Sequence, residues 1–338
     1  LTLTAPVATA DMTAGREDYN REEYAAALSE WRRLAEPDIV EFGMSDGQLA
    51  QTQNSCARGS RNEKGNWQMA LTEHDIEFEG TSVHFWKGGS GFPILMLHGS
   101  GPGAGTMGNW RFVLEPLAES YHVVATDLIG FGESGRKHEE PYFDISLWRR
   151  QAQLMLDSLP AGPVGIIGHS LSASLALGLA AANERVTKVL TTGAMGGHFE
   201  INKSTNLCWT FPETRAQLRD AVECLVYDRS VVTDALLDSR MEILHDGEYG
   251  PYFRSMFAGD KQQYVDAAVL PAEMLNALTC DVMMMHGRDD RPFPFAKNSL
   301  ALSAAIPHAD VILVGRCGHS PALEHPQKLL SAANLLFG

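Results

Sequence analysis

The sequence predicts an α/β protein: a mostly parallel, eight-stranded sheet with helices on both faces, a helical lid, and an N-terminal helical extension. Three observations point there. From about residue 72, short β-rich apolar runs alternate with helical stretches, as in a parallel sheet covered on both sides. The stretch 194–275 interrupts that alternation with helices only. Finally, the turn Gly168-His169-Ser170-Leu171-Ser172 passes directly from a strand into a helix.

The elements follow in chain order. Asn20 and Glu23 form a capping-box pattern, after which Tyr24, Ala27, Leu28, Trp31, Leu34 and Ala35 share one helical face until Pro37 stops it. Residues 38–71 are polar and Gly-bearing without periodicity, a long surface connection. The expected strands are Asp75–Glu79, Ser82–Trp86, Pro93–His98, His122–Thr126, Val164–Gly168, Val186–Leu190, Val282–His286 and Val311–Val314. The domains are then 1–71 as extension, 72–193 with 276–338 as core, and 194–275 as lid. Within the lid, Pro212–Tyr227 and Thr233–Leu244 read as helices. A helical insertion in a βα series belongs over the carboxyl ends of the strands, where ligands bind.

Composition narrows the function. With 338 residues, 44% apolar and 20% charged, the chain can bury a full core. Its 27 basic against 42 acidic residues give a net charge of -15, which repels nucleic acid. Cys56, Cys208, Cys224, Cys280 and Cys317 are scattered, with no C-x-x-C pair or metal-ligand spacing, so free thiols, a cytoplasmic setting and no metal are expected. No apolar run is long enough for a membrane span. The Ala8-Thr9-Ala10 triplet resembles a cleavage site but follows no basic segment and too short an apolar one, so it reads as a loose terminus.

The chemistry lies at strand ends. A turn as tight as that around Ser170 needs small flanks, here Gly168 and Ser172; it lifts the Ser170 hydroxyl above the sheet and aims the Leu171 N–H at a bound acyl oxygen. The third strand runs into His98-Gly99-Ser100-Gly101-Pro102-Gly103-Ala104. A phosphate loop is excluded because no Gly-Lys-Ser/Thr follows. With the elbow as partner, the Ser100 and Leu171 N–H groups form an oxyanion hole; the bland alternative is a plain tight turn. After the seventh strand come Asp289 and Asp290, of which Asp290 is the expected acid, and after the eighth comes Arg316-Cys317-Gly318-His319. Ser170, Asp290 and His319, each just past a successive strand end, stand in the order the α/β-hydrolase fold requires. His319 is then the general base and Asp290 its orienting partner, with no cofactor needed. His98 is expected to support the oxyanion loop, while His74, His84, His122 and His138 read as structural or solvated.

From about residue 72 onward the chain resembles the meta-cleavage-product hydrolases, carbon–carbon bond hydrolases of aromatic-ring degradation. The residues that carry the resemblance are His98-Gly-Ser-Gly-Pro-Gly-Ala, Asn109, Asp127-x-x-Gly130-x-Gly132-x-Ser134, Gly287-Arg-Asp-Asp290, and Arg316-Cys-Gly-His319 with Glu324. In the lid, Val226-Tyr227-Asp228 and Leu237-Asp238-Ser239-Arg240 look like the family's lid helix. The resemblance implies a small carboxylate-bearing substrate anchored by Arg240, with Gly101 and Asn109 at the substrate, and a homo-oligomer. A solvated helix arginine is the alternative at Arg240, and no other basic cluster is expected in the pocket wall.

Three positions depart from the family pattern where a substrate would touch: His169 for the usual Asn, Ser320 for the usual Trp, and Ser172 for Gly. Loss of a bulky aromatic enlarges or re-polarises the acyl pocket. Three functions therefore stay open. They are hydrolysis of a C–C bond beside a ketone in an acidic substrate, hydrolysis of an ester with a free carboxylate such as an aromatic diacid monoester, and a receptor or cofactor-free oxygenase on the same fold. The first is favoured.

Overall fold

The computed structural model describes residues 71–338; the expected helix within 20–35, the connection before residue 71 and Cys56 lie outside the described residues. Eight strands form one sheet in the order β1-β2-β4-β3-β5-β6-β7-β8. At one edge, β1 (Leu71–Phe78) and β2 (Thr81–Gly88) make an antiparallel hairpin. Glu79 and Gly80 turn it with φ of 49° and 76°, the positive pair that a right-twisted two-residue turn requires. β2 is antiparallel to β4 (His122–Thr126), and every later pairing is parallel. Those strands are β3 (Pro93–Leu97), β5 (Val164–His169), β6 (Val186–Thr192), β7 (Asp281–Gly287) and β8 (Ala309–Val314).

Most expected strands are present with ends moved by one or two residues. The first starts four residues early, at Leu71, which is buried and pairs with Gly88. Thr72, Glu73 and His74 follow it on an exposed edge, where apolar alternation is weak and polar side chains blunt the edge.

Alternation along the central strands sends side chains to two cores. Leu95, Leu97, Val124 and Ile166 face one, with Trp148 of a helix at Ile145–Asp157 and Leu175 of a helix at Leu171–Ala182. Ile94, Met96, Val123, Ile167 and Met285 face the other, closed by Leu329 and Phe337 of the C-terminal helix Pro326–Phe337. Helices thus cover both faces, and β5, buried along its whole length, carries the serine at its end.

Between β6 and β7 the described chain contains no strand. Its helices include Lys203–Cys208, Arg215–Glu223, Asp234–Leu244 and Tyr249–Met256. The helix expected over Pro212–Tyr227 is shorter at both ends. It starts after a capping box in which Thr214 and Gln217 satisfy each other's N–H groups, and it stops before Val226, which turns inward to the core. The next helix is capped by Thr233, whose hydroxyl accepts from Leu236 N–H. No helix of the described residues is long and apolar enough to cross a membrane.

Candidate active site

Ser170 stands between β5 and the helix Leu171–Ala182 with φ 58° and ψ -122°, a strained backbone for a residue with a side chain. The surroundings hold it there. Its N–H donates to Thr192 O at 2.9 Å, and its carbonyl accepts from Ala173 and Met195. Gly168 shows why the turn needs small flanks: a Cβ there would lie 2.5 Å from Ser172 O. Leu171 is the first residue of its helix, so its N–H has no partner within the helix.

Three side chains from three strand ends converge. The Ser170 hydroxyl lies 2.9 Å from His319 Nε2, and His319 Nδ1 lies 2.7 Å from Asp290 Oδ2. All three residues are buried. Asp290 Oδ1 accepts from Phe293 N–H, and Oδ2 also takes the His286 Nε2 contact at 3.0 Å. Burial alone would push the Asp290 carboxyl up, but the charge of His319 and hydrogen bonds from both histidines outweigh it and hold it well below its ordinary value. An ionised Asp290 fixes the His319 proton on Nδ1 and leaves Nε2 to accept from the serine. Asp289 points elsewhere: it accepts from Arg316 N–H at 3.0 Å.

The base loop is fastened to the helical insertion. Glu324 accepts from Gly318 N–H at 2.7 Å on one oxygen, and from Tyr227 and Asp228 N–H at 2.7 and 3.1 Å on the other. The His319 N–H donates to Leu225 O at 2.7 Å. Gly318 permits this approach, since a Cβ would sit 2.5 Å from Leu225 O.

The loop after β3, expected to carry the oxyanion hole, is held by side chains of its own neighbourhood. His98 accepts from Leu128 N–H through Nε2 and donates to Gly99 O through Nδ1, a neutral ring that burial pushes below its ordinary pKa. Asn109 Oδ1 accepts from Gly99 N–H at 3.2 Å, and Ser100 Oγ accepts from Trp209 Nε1 of the insertion at 3.2 Å.

A cavity of about 360 Å³ opens above Ser170 and His319. Ser100, Gly101, Asn109, His169, Ser320 and Arg240, all singled out from the sequence, line it. Arg240 Nη1 donates to Pro102 O at 2.8 Å. Ser172 does not reach the cavity, contrary to expectation. It is fully buried and its hydroxyl donates to His98 O, so this departure ties the elbow to the oxyanion loop and leaves the substrate untouched. No other basic cluster was expected in the wall, and one further basic residue, Arg111, lines it. Arg111 ends the helical turn that carries Asn109, and that two-residue spacing was the available signal. His286 was missed as a partner of Asp290; its i, i+4 spacing across the end of β7 was the clue.

His169 packs against His319 with ring centroids 4.7 Å apart and places Nδ1 2.9 Å from Thr192 O. Burial pushes its pKa well below the ordinary 6.5, and the charge of His319 adds to the shift. The unfolded chain therefore takes up protons near pH 6.5 that the folded chain refuses: stability is fully present above that value and is lost as pH falls. His98 contributes in the same direction. His169→Asn should remove up to ~1.4 kcal/mol per pH unit of this fall, one proton's share. Chemical denaturation across about pH 7 to 5 measures it, and an unchanged slope would show that His169 titrates freely.

A family model described as "Alpha/beta hydrolase family" matches residues 94–333. Among curated proteins, the 2-hydroxymuconate semialdehyde hydrolase of Pseudomonas sp. strain CF600 is 32% identical over 76% of this chain and 90% of its own length. A 2-hydroxy-6-oxo-2,4-heptadienoate hydrolase of Pseudomonas putida is 31% identical over 73% of this chain and 89% of its own. Among solved structures, a mutant meta-cleavage product hydrolase of Pseudomonas fluorescens IP01 complexed with acetates superposes with a TM-score of 0.72 at 29% identity, covering 77% of this chain and 95% of that one.

Proposed function

Because this chain belongs to the alpha/beta hydrolase family, among its meta-cleavage product hydrolases, we propose that it cleaves a C–C bond beside a ketone in a carboxylate-bearing, ring-fission-type substrate. The observation that carries this reading is the convergence of Ser170, His319 and Asp290 under a cavity whose wall presents Arg240. Residues 194–275 act as the lid that brings this arginine over the core.

In this reading His319 takes the proton from Ser170 as the oxygen adds to the ketone carbon, and Asp290 steadies the resulting imidazolium. The charge on the former carbonyl oxygen faces the N–H groups of Ser100 and Leu171. The bond to the neighbouring carbon then breaks with its electron pair, His319 returns the proton to that carbon, and water releases the acyl group.

Three reagents separate the open functions. A fluorophosphonate should label wild type at Ser170, which a receptor without a working nucleophile would not do. The enzyme should then prefer a vinylogous diketo acid over a p-nitrophenyl ester by about 100-fold in kcat/KM. Preference for an acidic ester over the diketo acid would overturn the C–C assignment.

Arg240 makes the acidic half of the reading testable. A guanidinium facing a carboxylate forms a charge-assisted pair that alanine cannot replace. Arg240→Ala should reduce kcat/KM on the diketo acid by roughly 2 to 4 kcal/mol and reduce it far less on a neutral ester. Equal losses on the two substrates would mean that Arg240 only holds the insertion to Pro102.

A further inference from the structure

The cavity above Ser170 has two formal charges in its wall, Arg111 and Arg240, and both are positive; no Asp or Glu lines it. That is unusual for a chain with a net charge of -15. Two of the three acids on the Arg240 helix are engaged elsewhere, and the third, Glu242, is exposed and does not line the cavity. Asp234 pairs with Arg215 and Arg219, and Asp238 pairs with Arg215. Among the described residues neither the exposed Arg111 nor the half-buried Arg240 has an ion-pair partner, although Arg136, Arg150 and Arg254 each do.

The two come from different segments of the chain. Arg240 comes from the insertion and donates to Pro102 O, while Arg111 follows the helical turn Thr106–Trp110 of the core and lies over the Phe112 ring, 4.9 Å from its centroid. We propose that Arg111 is a second anion-binding residue of this cavity, sharing the substrate's carboxylate with Arg240 so that the bound anion bridges core and insertion. The inference rests on the carboxylate-bearing substrate proposed above.

Physical chemistry favours one anion between two cations here. Burial pushes both guanidiniums down, and Arg111's charge presses further on Arg240, so the two repel although Arg111 keeps an exposed side. An anion placed between them turns that repulsion into two attractions, each with the planar fork that suits a carboxylate. The Phe112 ring supports the Arg111 plane in the meantime. Arg111 is thus a specificity-determining residue, selecting acidic over neutral acyl compounds, and it makes insertion closure depend on the ligand's charge.

Calorimetric titration of the full chain tests this without relying on turnover. The probes are benzoate, its neutral isostere benzamide, and isophthalate as a dianion. Wild type should bind benzoate at least about tenfold more tightly than benzamide. Arg111→Gln should weaken benzoate by about tenfold with little change for benzamide, and Arg111→Lys, keeping the charge but not the fork, should recover part of the loss. Thermal melts of both variants establish that they fold.

An unchanged benzoate affinity in Arg111→Gln overturns the proposal. So does a loss confined to isophthalate, which would give each arginine its own carboxylate. Equal binding of benzoate and benzamide by wild type also sinks it, whatever the enzyme does with the diketo acid. Conversely, Arg111-dependent benzoate binding in an enzyme that ignores the diketo acid upholds the shared anion site and removes only the C–C assignment.

Discussion

Ser170→Ala should lower kcat by roughly a thousandfold or more while the protein still folds. The expectation follows from geometry. Ser170 carries the hydroxyl that meets His319 Nε2, at 2.9 Å, and its strained backbone puts that hydroxyl at the floor of the cavity. Alanine has the same backbone preferences as serine at φ 58°, so the elbow loses its nucleophile without a new strain. The cost should therefore appear in turnover, with the melting temperature little changed. Fluorophosphonate labelling should vanish in parallel. Turnover near wild type, or labelling that persists elsewhere, would remove Ser170 from the mechanism.

Asp290→Asn should be nearly as damaging, by about a thousandfold to ten-thousandfold in kcat. The Asp290 carboxylate accepts from His319, from His286 and from the Phe293 N–H, all in a buried setting. An amide offers a donor where His319 Nδ1 already donates, so the imidazole must turn or change tautomer, and Nε2 then no longer accepts from Ser170. Asp289→Asn is the matched control. Its carboxylate accepts from the N–H of Arg316, which has a φ of 53°, and it sits near the Arg288 guanidinium at 3.8 Å. Losing a half-exposed hydrogen bond of this kind should cost less than about tenfold. Measuring kcat for the two variants side by side decides between the carboxylates, and the reverse ranking would assign the orienting role to Asp289.

The triad positions were legible because this fold places each chemical group immediately after a strand, and strands announce themselves by apolar runs. Val164–Ile167 before the elbow and Val282–Met285 before Asp290 are such runs, buried in the structure as the pattern required. What remained hidden depends on contacts between distant segments. Little around Arg111 beyond its spacing from Asn109 marks it as lining the same cavity as Arg240, which is 129 positions later. Ser172 looked like a pocket position because it flanks the nucleophile, yet the turn sends its hydroxyl back to His98 O. The same holds at the sheet edge. Thr72–His74 form a strand through backbone pairing with β2, which exposed polar side chains do not reveal. Helix ends in the insertion were set by caps at Thr214 and Thr233, signals weaker than the apolar faces that placed the helices themselves.

The Glu324 carboxylate makes the His319 loop and residues 225–228 of the helical insertion a single mechanical piece. It grips the peptide before His319 with one oxygen and the Tyr227–Asp228 backbone with the other, and the His319 N–H adds a third strut to Leu225. Any displacement of residues 225–228 is thereby transmitted to the imidazole, and through it to the serine. Further along the insertion, Arg240 reaches the core through Pro102 O. A change in the packing of residues 225–228 therefore reaches the Ser170–His319 contact without touching either residue.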